Sequence, residues 1–475
     1  MQSPSQRPKI CVVGAGFSGL NAIRHLKDVG DVKCYEQKPL PGGIWRYDEE
    51  RSKLDSTKLT PENDLFAAHN GTAYDSMYDN LQLFSPFWFM QYKGHEFPRD
   101  TQPLFIMQPQ FTKYIEEYTE KFGLHTNIQY NTFVLNVRRQ APNTESKWEV
   151  TTCPYDNRER KTTELFDYVV VANGHLAVPA VPHFQGQELY DGKIFHCHDF
   201  RDPIKQQLFK PDSKVLLVGT SFSGIDLISM LLRNTKHGEI PLKSITVSGN
   251  TVYLDKSTDF AHYYKSGKLI MKSARIAELK NDNTVIFDDG SVEQHDVIIL
   301  CTGYQMSYPF LKEEGLVKLT HKNKYWPLYK RIFCIDDPRL MFIGQHDTGF
   351  LEHFIRERQS ITIREVIAGK VKLPQWTERW RDLVSSWEKY GFDDSNLQNF
   401  YRLSTHDYEL QIINEFHSVV PHLTLNKKFL AEIGPVISKC FEHVLKGDWI
   451  TFYEGSQYIA LVKEGYVSDT EEYDF

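Results

Sequence analysis

The chain has 475 residues, 41% of them hydrophobic and 25% charged, with a net charge of −7. That length exceeds what one core ordinarily organises, so two or more domains are expected. The acidic balance argues against a nucleic-acid partner held by a basic surface, which needs clustered Lys and Arg. The seven cysteines, at positions 11, 34, 153, 197, 301, 334 and 440, form no CxxC pair and no zinc-ligand spacing. They read as small buried hydrophobes in a reducing compartment, which also counts against a disulfide reductase. No run approaches the roughly 18 apolar residues of a membrane span, and no secretory signal is read before the first strand. Cytoplasmic residence with no membrane partner is therefore expected.

In chain order, the first element is the apolar run Ile10 to Val13, followed by the turn Gly14-Ala-Gly16-Phe17-Ser18-Gly19. Leu20, Ile23 and Leu26 then repeat at helical spacing. A strand pattern from Val32 ends in Glu36. Strand, glycine turn, helix and strand-end acid form the context in which a GxGxxG match becomes meaningful. Glycine lets the backbone approach a pyrophosphate, helix N–H groups donate to it, and the acid accepts both ribose hydroxyls. Without that context Glu36 would be only a solvated strand end.

The polar stretch Asp48 to Asn70 reads as a long surface loop. Asn80 precedes an aromatic cluster, Phe84 to Phe89, most of which reads as core. Buried strands are expected at Phe166 to Ala172, at Asp296 to Cys301 and at Leu340 to Ile343, each closing on a glycine. A second strand, turn and helix begins at Val215, with Gly219, Ser221 and Gly224 at the turn positions and Ser223, Ile225 and Asp226 at the helix start. Asp226 is expected on the first turn, where an acid suits the helix dipole. The following strand ends in Ser248, not an acid. An acid there would repel the 2′-phosphate of NADPH, so this site permits NADPH. Two Pro-containing stretches, 178–182 and 303–309, flank the second unit and read as crossings between domains.

The expected class is α/β: two Rossmann-like dinucleotide-binding domains, the NADP domain inserted into the FAD domain, plus a helical C-terminal extension. The expected boundaries are 1–178 and 305–375 for the FAD domain, 179–304 for the insertion and 376–475 for the extension. Two such sites in one chain suggest hydride passing from a nicotinamide to a flavin.

With these elements in place, the stretch from Tyr190 through Gly192 and His196 to Phe200 resembles the flavin-containing monooxygenase fingerprint FxGxxxHxxxY/F, Tyr190 replacing the leading Phe. Gly42-Gly43-Ile44-Trp45 resembles that family's GGxW. Tyr74 to Asn80 resembles its YxxLxTN segment, with Met77 for Leu and Asp79 for Thr. Ala172 to His175 resembles its strand-end glycine-histidine. Asp296 to Tyr304, through Cys301, Thr302 and Gly303, resembles DxxxxATGY. Phe342-Ile343-Gly344 resembles a late FIG element.

The resemblance implies FAD and NADPH as cofactors, O2 as co-substrate and a small organic substrate oxygenated at a soft nitrogen or sulfur through a C4a-hydroperoxyflavin. It implies Asn80 as the catalytic amide, with Asp79 beside the flavin. Gly14, Gly16, Phe17, Ser18, Gly19, Glu36, Gly43, Ile44 and Trp45 would hold FAD. Gly219, Ser221, Ser223, Gly224, Ile225, Asp226 and Ser248 would hold NADP, and Thr302, Gly303 and Tyr304 would also bind cofactor. His196 is expected to link the domains. With only His198 near it and no third ligand, no metal site is expected. A homodimer is a family-level expectation. Baeyer–Villiger oxygenation, an NADPH oxidase releasing hydrogen peroxide and a nucleotide-binding sensor without turnover stay open as alternatives. Phe200, where Baeyer–Villiger relatives carry Trp, favours the heteroatom branch.

Overall fold

The structure is a computed structural model that describes residues 7–47, 76–78, 81–83, 85, 87–98, 101, 103, 105–141, 146–203, 206–220, 222–232, 240–249, 260–319, 325–345, 352–390 and 419. The first unit opens with β1 (Lys9–Val13), α1 (Phe17–Leu26), β2 (Asp31–Tyr35), α2 (Gln108–Lys121), β3 (Ile128–Gln129) and β4 (Tyr168–Val171). The second follows with β5 (Lys193–His196), β6 (Ser213–Val218), α3 (Phe222–Leu232), β7 (Leu242–Ser248), β8 (Leu269–Lys272) and β9 (Val297–Leu300). The chain then returns through β10 (Leu328–Tyr329), β11 (Phe333–Cys334), β12 (Leu340–Phe342), α4 (Glu352–Ile367) and α5 (Trp376–Tyr390).

These strands build two sheets. The seven-stranded sheet has the order β10-β11-β12-β4-β1-β2-β3, and the five-stranded sheet the order β8-β7-β6-β9-β5. β1 runs parallel to β2 and β4, and β12 runs parallel to β4. Every pairing in the five-stranded sheet is parallel. Strand sequences follow from this layering: β9, Val-Ile-Ile-Leu, is buried at all positions, as parallel strands covered on both faces must be. α1 buries Leu20, Ile23 and Leu26 against its sheet, and its outer side is covered by α4.

The two expected crossings turn out to be the legs of one ribbon. Val178–Pro179 pairs antiparallel with Tyr304–Gln305, between the two sheets. Two three-stranded antiparallel sheets were not read from the sequence. One joins Thr132–Arg139, Trp148–Pro154 and Thr162–Phe166; the other joins Ile276–Lys280, Thr284–Phe287 and Val292–Gln294. The loop expected at 48–70 lies outside the described residues, as does most of 376–475 beyond α5. α5 is tied to the first unit by the Trp376 indole, which donates to the Asp336 carboxylate at 2.8 Å, and by the Lys330–Asp382 ion pair at 2.7 Å. Among the described residues, no helix is long and apolar enough to cross a membrane.

Helix and strand touch backbone to backbone at both glycine turns. A Cβ on Gly19 would stand 1.8 Å from the Gly14 carbonyl oxygen, and one on Gly224 would stand 2.3 Å from that of Gly219. Neither carbonyl is free to swing away, since both lie in the turn that starts the helix. Gly19→Ala and Gly224→Ala should each cost at least the ~1–3 kcal/mol of an overpacked core. Urea unfolding of the two variants measures this, and an unchanged midpoint would refute the packing role.

Candidate functional site

The first turn is shaped by what surrounds Gly14. Its φ is +97°, and an added Cβ would meet the Ala172 carbonyl oxygen, at the end of neighbouring β4, at 2.8 Å. Its N–H donates to the Tyr35 carbonyl at 2.9 Å, which locks the turn to the end of β2. β2 thereby delivers Glu36 beneath the turn. Glu36 is only 4% exposed and accepts the N–H groups of Ala15 at 2.6 Å and Lys38 at 2.8 Å. Burial pushes its carboxyl pKa up, while those two N–H groups and the Lys38 charge oppose the rise. The Lys38 ammonium donates to the Gly43 carbonyl at 2.8 Å.

The segment Gly42 to Trp45 closes over the turn. Gly42 N–H donates to the Ala15 carbonyl at 3.0 Å, and a Cβ on Gly43 would lie 3.0 Å from the Gly16 Cα. Trp45 stands edge-on to Phe111 of α2 at 4.7 Å, and its carbonyl accepts the Thr112 hydroxyl at 2.6 Å. Together they bound a cavity of about 370 Å³. Gly14, Gly16, Phe17, Ser18, Glu36, Gly43, Ile44 and Trp45 line it, all anticipated from the sequence. Gly19 does not line it; that glycine serves helix packing. The wall also includes Asn173, from the strand-end motif, and Lys38, Thr132 to Leu135, Ser307, Lys312 and Arg356, which the sequence reading did not single out. A basic residue two positions after the strand-end acid was a readable signal for Lys38. The others are brought in by long-range pairing.

This cavity suits a flavin dinucleotide. Its turn offers bare backbone at Gly14 and Gly16, and α1 begins there with no acid in its first turn. Glu36 brings a buried carboxylate to the wall, a group able to accept ribose hydroxyls. Two wall side chains have buried polar atoms without a hydrogen-bond partner, Asn173 Oδ1 and Arg356 Nε. Unpaired buried polar atoms are costly, and a polar ligand in the cavity would relieve them.

The second turn repeats the geometry. Gly219 has φ +104°, donates to the Ser248 carbonyl at 2.9 Å, and abuts the Cys301 carbonyl, 2.4 Å from where its Cβ would be. Helix α3 starts at Phe222, the same motif position as Phe17 in α1. Ser223, Gly224 and Ile225 are on its first turn; Ser221 lies outside the described residues. Asp226 departs from expectation. The helix starts early enough that Asp226 falls on the second turn, where it accepts a hydrogen bond from the Tyr78 hydroxyl. The Ser248 hydroxyl donates inward to the Ala274 carbonyl at 2.7 Å.

Thr302, Gly303 and Tyr304 are not on the cavity wall. The Thr302 hydroxyl donates to the Ala180 carbonyl, the Gly303 carbonyl accepts the Ala180 N–H at 2.8 Å, and the Tyr304 ring stands edge-on to His196 at 5.3 Å. They hold the ribbon between the sheets, while Gln305 and Ser307 just beyond reach the wall. His196 is buried, and its Nδ1 accepts the His198 N–H at 3.1 Å. Asp79 and Asn80 lie outside the described residues. Their neighbour Tyr78 is buried, edge-on to Phe200 at 6.0 Å.

A mixed seven-stranded sheet and a parallel five-stranded sheet, each with a glycine turn against a helix N-terminus, define a protein with two dinucleotide sites. A family model, FMO-like (flavin-binding monooxygenase-like), matches residues 7–253 and 257–421, and the chain belongs to that family. It is an enzyme and a flavoprotein. Over 374 residues it is 33% identical to senecionine N-oxygenase of Tyria jacobaeae, covering 78% of this chain and 74% of that one. It is 29% identical over 400 residues to trimethylamine monooxygenase of a Roseovarius species, covering 82% and 81%. The solved S-allyl-L-cysteine S-oxygenase of Allium sativum shares the fold with a TM-score of 0.75 and 22% identity, covering 97% of this chain and 98% of that one.

Two substitutions separate cofactor from fold at the first turn. A Cβ on Gly16 would meet only Gly43 at 3.5 Å, an ordinary contact. Gly16→Ala should therefore leave the melting temperature of the flavin-free protein within a few degrees, while flavin content falls. A Gly16→Ala variant that is fully yellow would refute the assignment. For Glu36 the sign follows from the raised pKa: as pH falls, the carboxylate takes up its proton earlier than a free Glu would. It then stops accepting ribose hydroxyls. Flavin affinity should fall with pH through that raised pKa, and Glu36→Gln should bind weakly at every pH. Flavin fluorescence titrations across pH check both.

Proposed function

We propose that this enzyme transfers one oxygen atom from O2 to a soft nucleophilic nitrogen or sulfur of a small organic substrate, with FAD and NADPH as its cofactors. The observation that carries the reading is the cavity over the first glycine turn, floored by buried Glu36 and closed by Gly42 to Trp45, in a chain of this family. Relatives named senecionine N-oxygenase and trimethylamine monooxygenase, and a structural neighbour named an S-oxygenase, support the choice of acceptor atom. Bound FAD supplies two-electron chemistry with NADPH and with O2.

The chain's own part is to bind, orient and exclude water. Gly14, Gly16, Phe17, Ser18 and Glu36 hold the dinucleotide, while Gly43, Ile44 and Trp45 cover it. Gly219, Ser221, Ser223, Gly224, Ile225 and Ser248 take NADPH at the second turn. The strand end at Ser248 carries no acid to repel the 2′-phosphate. Asn80 donates an amide hydrogen bond to the oxygen being transferred without supplying a proton, with Asp79 beside it. The FAD domain comprises 1–178 and 305–375, the NADP domain is the insertion 179–304, and 376–475 is an extension that begins with α5. Strands of the first sheet at 9–171 and 328–342, and of the second at 193–300, support that division. The six buried free thiols among the described residues fit residence in the cytoplasm.

The test is coupling. With a tertiary amine or a thioether, the purified protein should consume NADPH and O2 and yield the oxygenated product. Ketone conversion to an ester would point to Baeyer–Villiger chemistry, and peroxide without product to an oxidase. Asn80→Ala should keep NADPH consumption within about threefold while the product-to-NADPH ratio falls at least tenfold, the size expected for a lost transition-state hydrogen bond. An unchanged ratio would remove Asn80 from the reaction.

A further inference from the structure

Helix α4 is buried with the wrong polarity for a core helix. His353, Glu357, Arg358, Gln359, Ser360 and Thr362 are all buried along it. A helix packed on an apolar layer presents apolar residues at this spacing. Residues 353, 356 and 359 follow one another at three-residue steps and are neighbours on the helix surface. His353 packs edge-on against Phe17 at 4.0 Å. The Gln359 amide oxygen accepts the Gly344 N–H at 2.9 Å. This face of α4 therefore lies against the opening of α1 and the end of β12.

Arg356 stands between those two contacts and is on the cavity wall. A methyl group on Gly344 would touch both the Arg356 Nε and the Ser18 hydroxyl, each at 3.7 Å. The guanidinium and the second residue of α1 thus flank one spot on the wall. One guanidinium nitrogen pairs with Glu352 a turn earlier, while the Nε is buried and has no hydrogen-bond partner. Burial lowers the Arg356 pKa to about 10, so its charge is incompletely solvated. The other cations on the wall are placed differently. Lys38 is engaged with the Gly43 carbonyl beside Glu36, and Lys312 is exposed.

A helix N-terminus carries only about half a unit of positive charge, whereas a dinucleotide pyrophosphate carries roughly two negative charges. We infer that Arg356 is the cation that receives the pyrophosphate of the bound dinucleotide, completing from α4 a phosphate seat whose other half is the N-terminus of α1. This rests on the flavin reading of the cavity. The fork of the guanidinium suits two phosphate oxygens, which an ammonium meets only as a point charge.

The test measures FAD release from the holoenzyme on serial dilution, read by the rise in flavin fluorescence, at low and at high NaCl concentration. Wild type, Arg356→Lys and Arg356→Gln are compared, with melting curves at saturating FAD. Arg356→Gln should bind FAD about ten- to a hundredfold more weakly, the size of a lost charge-assisted hydrogen bond. It should also lose most of the salt dependence seen in wild type. Arg356→Lys should fall between the two. Arg356→Gln holding FAD within twofold of wild type, with the same salt dependence, would overturn the inference. So would equal losses in both variants with an unaltered salt dependence, which would mark Arg356 as a packing residue paired to Glu352. A wild-type protein that binds no flavin would instead defeat the flavin reading itself.

Discussion

Helix and strand meet backbone to backbone at Gly14 and Gly19, and much else in the molecule follows from that contact. At 1.8 Å from the Gly14 oxygen there is no room for a Cβ on Gly19, so α1 lies closer to β1 than any side chain would allow. That approach points the first N–H groups of α1 at the cavity instead of at solvent. Those groups have no partner within the helix. The same contact forces Gly14 against Ala172, which fixes where β4 ends and where Asn173 joins the wall. Gly219, Gly224 and Cys301 repeat the arrangement in the second sheet. Glycine weakens regular structure by about 0.5–1 kcal/mol relative to alanine, and the buried parallel strands around each turn offset that.

Around this contact the first site is built in layers of polar groups that protein atoms satisfy only in part. Glu36 takes two backbone N–H groups, which hold its oxygens in place but do not fully offset its burial. Lys38 ties the same loop to Gly43, so the acid and the covering segment are positioned by one side chain. Asn173 spends its amide N–H on Ser307 and keeps its oxygen unpaired. A cavity lined this way is pre-organised for a ligand with donors and acceptors along its length, because the cost of desolvating the wall is met during folding.

The sequence made legible whatever depends on short-range spacing. Both turns, Glu36 and the apolar strands are contained in windows of a few dozen residues, and periodicity or turn chemistry marks each, whereas the covering Gly42 to Trp45 was legible only through the family resemblance. Thr132 to Leu135 and Arg356 reach the same cavity through sheet pairing and helix packing across the chain, which no local pattern encodes. Trp148–Pro154 did carry a signal, since its burial largely alternates as in a strand with one wet face, yet it was not read as a strand. Thr302, Gly303 and Tyr304 show a different limit. A motif match marks them as important without saying whether they touch a ligand or hold the ribbon. Asp226 was misplaced by one turn, enough to exchange a role at the helix dipole for a hydrogen bond to Tyr78.

That hydrogen bond bears on how the two halves act together. Tyr78 immediately precedes Asp79 and Asn80, and its hydroxyl is held by α3, the helix of the second turn. Just beyond, the Gln82 amide donates to the Phe105 carbonyl at 2.8 Å, and Gln82 bridges to Met107 at the start of α2. α2 in turn grips Trp45 through Thr112. Tyr78 is thus held by the second nucleotide unit, and Gln82 by the helix that grips the cover of the first. The chain crosses between the two sheets in the ribbon of Val178–Pro179 with Tyr304–Gln305. The buried His196 packs edge-on against Tyr304 of that ribbon at 5.3 Å, so the fingerprint histidine is tied by packing to the crossing between the sheets.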